Sequence, residues 1–74
     1  MSEALEATAR LYDDAAQELD LAAEHCRVAS THFRNKEIPR GAAHAWAAYG
    51  HLTEAQERMR DQAREHATRS VPQA

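Results

Sequence analysis

Three observations predict an all-α fold, a long antiparallel hairpin of two helices. Neither Gly nor Pro occurs between Ser2 and Glu37. Ala, Leu, Glu, Gln and Arg dominate that stretch, and these are the strong helix formers. Four histidines fall in two pairs placed symmetrically about Ile38, with His25 and His32 on one side and His44 and His51 on the other. A chain reversal near Ile38 sets His32 level with His44 and His25 level with His51. The same mirror places Glu18 opposite Arg58 as a salt bridge, with Leu11 meeting Glu65 beyond it.

The first helix is expected from about residue 3 to 34, with Ser2 as its N-cap. Asn35 terminates it, because Asn tolerates the left-handed conformation. The turn covers about residues 35–38, and Pro39 restarts the chain in the first turn of a second helix. That helix runs from about residue 39 to 69, leaving a frayed tail over 70–74 that contains Pro72. Residues 1–74 thus form one small domain. Gly50 interrupts the second helix at a cost of about 1 kcal/mol relative to Ala, so a close helix contact is expected there.

A heptad stripe runs the length of the first helix. Leu5, Thr8, Tyr12, Ala15, Leu19, Ala22, Cys26, Ala29 and Phe33 alternate spacings of three and four. The second helix answers with Ala45, Ala48, Leu52, Ala55 and Met59. This pattern predicts a hairpin seam of interlocked large and small side chains, with Cys26 buried in it as a small hydrophobe. Leu11, Leu21 and Val28 make a second stripe, and residues 42–50 are apolar almost all round apart from His44. A helix apolar on more than one face is buried on more than one face. Two hairpins pairing as a homodimeric four-helix bundle would supply that burial. Large apolar side chains are few and a chain of 74 residues is marginal alone, which also argues for self-association. Trp46 and Tyr49, with Leu21 and Val28, are the candidate interface residues.

Composition excludes several classes of function. A net charge of −3, with Arg interleaved among Glu and Asp, does not make a nucleic-acid footprint. No stretch has the apolar length of a membrane span, and no signal peptide is evident. The single cysteine cannot form an internal disulfide, which fits a reducing cytoplasm. Abundant Ala and Arg beside a single Lys suggest GC-rich bacterial coding. Nucleophile motifs, glycine-rich phosphate loops and cysteine-pair zinc motifs are absent, so no enzyme and no cofactor is expected. The Arg27–His32 and Arg60–His66 spacings, which helical ribonucleases of the HEPN type also contain, arise by chance in a chain this rich in Arg and His.

Histidine carries the remaining chemistry. Imidazoles facing each other across a helix interface can hold a transition-metal ion. Successive heptads lie about 10 Å apart along the axis, so the four rings cannot share one ion within a hairpin. The better-furnished level is His25 with His51, to which Glu54 lies one turn away and Cys26 adjoins; His32 with His44 is the other. His66 has no partner and is expected on the surface. Two readings follow. The first is a non-catalytic helical interaction module that binds a second copy of itself or another protein. The alternative is a small metal-binding or metal-sensing bundle using His25, His51, Glu54, His32 and His44.

Overall fold

The uninterrupted run of helix formers folds as one helix, α1 (Ser2–Arg34), and the chain after the turn as a second, α2 (Ile38–Arg69). In the computed structural model, which describes residues 2–72, the two lie antiparallel as a hairpin of 51 × 31 × 14 Å. The smallest dimension is close to the width of a single helix with its side chains, about 10–12 Å. The hairpin is therefore one helix layer thick. Ser2, expected as an N-cap, already belongs to α1. Helix α2 begins at Ile38, so Pro39 stands in its first turn as its fixed φ allows.

The reversal is a Schellman motif. The Glu37 N–H donates to His32 O at 2.9 Å and the Lys36 N–H donates to Phe33 O at 3.0 Å. The left-handed residue is Lys36, with φ of 62°, rather than Asn35. Asn35 keeps its N–H bonded back to Thr31 O and His32 O. An apolar contact commonly ties together the two residues joined by the outer bond of this motif. Here a polar one does so: His32 Nδ1–H donates to Glu37 Oε1 at 2.9 Å.

The seam lies one stripe away from the expected position. Its fully buried residues are small: Ala15, Ala22 and Ala29 on α1 face Gly41, Ala48 and Ala55 on α2, and each set repeats every seven residues. Of the alanines in the expected seam, Ala15, Ala22, Ala29, Ala48 and Ala55 are buried and Ala45 is exposed. The large residues Leu5, Tyr12, Leu19, Phe33 and Leu52 of that seam are exposed, and so is Cys26. The half-buried residues that complete the seam are Leu11, Glu18, His25 and His32 on α1, with His44, His51 and Arg58 on α2. Close approach over alanine explains the choice. Helices packed over such small residues leave most large apolar side chains outside the contact, so Leu5, Tyr12, Leu19 and Leu52 turn outward along one flank while Leu11 is half-buried.

The close contact expected at Gly50 is not there. A Cβ on Gly50 would meet nothing within 4 Å, so no close contact needs glycine there. A Cβ on Gly41 would stand 2.7 Å from the Phe33 ring, so the close approach is at the turn end of the seam.

Candidate functional site

The residues just off the alanine row of each helix meet along one edge of the hairpin. Glu18, His25 and His32 repeat every seven residues on α1, as do His44, His51 and Arg58 on α2. A heptad stripe stays on one side of a paired helix, so these positions line the same edge. The two rows interdigitate with a stagger of half a heptad, about 5 Å along the axis. Each inner ring therefore touches two rings of the opposite helix.

From the turn outward, the row runs Glu37, His32, His44, His25, His51, Glu18. His32 stacks on His44 with centroids 5.4 Å apart, and His25 stacks on His51 at 5.5 Å. Between these stacks, His25 and His44 are joined by a 2.9 Å hydrogen bond from Nδ1 to Nδ1. One of these nitrogens must carry the proton and the other must accept, so the two neutral rings are opposite tautomers. At the far end, His51 Nδ1–H donates to Glu18 Oε1 at 2.7 Å. Both terminal rings are thus held by carboxylates, and the middle two hold each other.

All four histidines named from the sequence come together, in an order the mirror did not anticipate. The level pairs, His32 with His44 and His25 with His51, are stacking partners, while the hydrogen-bonded pair is the diagonal His25–His44. Glu54 does not join them; it lies 3.6 Å from Arg58, its neighbour one turn on. The expected Glu18–Arg58 bridge is replaced by Glu18–His51, and Arg58 reaches Asp14 at 3.6 Å. Glu65 pairs with Arg69 on its own helix rather than meeting Leu11 across the seam. Among the described residues, no three His, Cys, Asp or Glu side chains are grouped so as to hold a metal ion.

Sequence reasoning missed Glu18 and Glu37 as histidine partners. Glu18 had a signal, since it stands one heptad before His25 in the same row. Glu37 had none, because only the geometry of the turn carries it back over His32.

The opposite edge is apolar. Ala22, Ala23 and Cys26 of α1 and Ala45, Tyr49 and Leu52 of α2 line a shallow groove there. Tyr49, a candidate interface residue, is 63% exposed, and Trp46 behind it is 74% exposed. Leu21 and Val28, the other two candidates, are half-buried and sit one turn from His25 on the histidine edge. The four candidates therefore do not share one surface. No helix is long and apolar enough to cross a membrane. No family model, curated protein or solved structure matches the chain.

Proposed function

We propose that the protein is a non-catalytic helical interaction module whose first partner is a second copy of itself, forming a four-helix bundle. One observation carries this reading: the buried core is made of Ala and Gly, while Leu5, Tyr12, Leu19, Phe33, Tyr49 and Leu52 line up exposed on one edge. That edge carries a second heptad seam on each helix. On α1 it reads Leu5, Ala9, Tyr12, Ala16, Leu19, Ala23, Cys26, Ser30 and Phe33. On α2 it reads Ile38, Ala42, Ala45, Tyr49, Leu52, Gln56, Met59 and Ala63. None of these residues is charged.

The alternation of large and small along both stripes is the pattern that lets helices interlock. The stripe covers most of a molecule 51 Å long, so its partner must be equally long. A second hairpin meets that requirement and adds the second layer that a single-layer molecule lacks. Trp46 and Tyr49 would sit toward the rim of such a contact, where large aromatic side chains often anchor binding. The reading includes a bacterial, cytoplasmic setting, on the strength of the Ala and Arg bias and the single cysteine.

Sedimentation equilibrium at micromolar concentration tests the proposal. A dimer is expected for the parent, and Leu19→Glu or Leu52→Glu should give a monomer by placing a charge in the apolar stripe. A parent chain that stays monomeric while fully helical and cooperatively folded would overturn it.

A further inference from the structure

The middle of the histidine row offers two ring nitrogens that no carboxylate occupies. Nδ1 of His32 and Nδ1 of His51 are each taken by a glutamate, but His25 Nδ1 and His44 Nδ1 have only each other, across the two helices, at 2.9 Å. We propose that His25 and His44 form a bridging site for one late first-row divalent cation of tetragonal preference, Cu2+ or Ni2+. This goes beyond the interaction reading and does not rest on it, since the pair lies on the edge away from the apolar stripe.

Ligand chemistry selects the class of ion. The 2.9 Å separation is that of a hydrogen bond, and with the ring centroids 5.1 Å apart the two Nδ1 atoms meet nearly head-on, so both rings swing on binding to turn their lone pairs onto one ion. Imidazole suits both ions, and divalent affinity for such ligands peaks at copper. The fold already holds the two rings side by side across the helices. His51 stacks against His25 and His32 against His44, and each outer ring is fixed by its own glutamate. Both inner rings are only half-buried, so water can fill the remaining coordination positions.

The protons balance. In the neutral pair one ring carries its proton on Nδ1 and the other on Nε2. Metal binding moves the first proton to Nε2 through solvent, leaving two neutral rings with both Nδ1 lone pairs on the ion and no net proton released. His25 and His44 are 19 positions apart and meet only in the hairpin. An ion bridging them binds the folded chain in preference to the unfolded one and so stabilises it.

The test uses the untagged full chain with Cu2+ or Ni2+ as the only added ligand. One Cu2+ should bind per chain, with an electron paramagnetic resonance spectrum showing superhyperfine coupling to two imidazole nitrogens. Ni2+ should raise the melting temperature as its concentration rises. His25→Gln and His44→Gln should each weaken binding at least tenfold, while His66→Gln should leave it unchanged. A parent spectrum without two coupled nitrogens overturns the proposal and needs no variant to fold. So does binding that falls by less than tenfold in either His25→Gln or His44→Gln.

Discussion

The two edges of the alanine seam carry opposite chemistry and solve opposite problems. On one edge, polar rings and carboxylates are half-buried and partnered: four histidines and two glutamates close into a continuous row. On the other, Tyr12, Leu19, Phe33, Tyr49 and Leu52 are exposed. A histidine row can partner every one of its Nδ1 atoms within a single hairpin, because the partners it needs are other members of the row. A leucine and tyrosine stripe cannot complete its burial within one layer of helices, because burial needs surface above it. The histidine edge thus belongs to the fold of the single chain, and the apolar edge is the one proposed here for assembly.

The sharpest way to break this contrast is to force both edges apart at once. Ala48 is nearly buried at the middle of the seam, and Ala48→Leu inserts three carbons where two helices touch. Overpacking of this kind costs about 1–3 kcal/mol, a large share of the stability of so small a domain. A fall in the urea midpoint should register it, together with loss of the His25–His44 contact in histidine side-chain NMR. An unchanged midpoint would mean that the helices are not held at alanine distance.

A smaller effect separates the edges. His25→Leu removes one partner of the central hydrogen bond and leaves His44 Nδ1 half-buried without a protein partner, at a cost of about 1 kcal/mol. Changing both residues to Leu removes the need along with the bond, so the double variant should recover most of that loss. A double-mutant cycle by denaturant unfolding reads the difference. Additive single effects would show that the two rings do not act as a pair.

The smallest effect concerns the glycines. Gly50→Ala should stabilise the hairpin by about 1 kcal/mol, because the helix gains propensity and the new Cβ meets nothing. Gly41→Ala should gain less or lose, because its Cβ would displace the Phe33 ring. Thermal melts of the two variants side by side decide it, and an equal gain at both sites would show that Phe33 moves aside without cost.

Much of this molecule could be read from its residues. The absence of Gly and Pro before Glu37 and the Pro39 restart were enough for two helices with boundaries good to about a residue. The mirror of histidines about Ile38 was enough to bring all four onto one edge. The candidate ligand Glu54 was not brought to them, because it turns to Arg58, the i,i+4 partner that the sequence already offered. Glu37 was invisible as a partner because its approach to His32 depends on the left-handed Lys36, and nothing about a lysine announces that conformation.

What the sequence determined by itself is periodicity: two helices, a reversal, and an alanine row every seven residues on each. What only the tertiary structure decided is rotation. The alanine row Ala15, Ala22, Ala29 is flanked on one side by Tyr12, Leu19 and Cys26 and on the other by Glu18, His25 and His32, so either flank completes a heptad with it. Hydrophobicity favoured the first flank and the fold uses the second. Helices drawn together over alanine and glycine leave most large apolar side chains at the margin of their contact, with Leu11 half-buried. Flat rings, however, can stack there, and the half-heptad stagger brings their nitrogens within hydrogen-bonding reach.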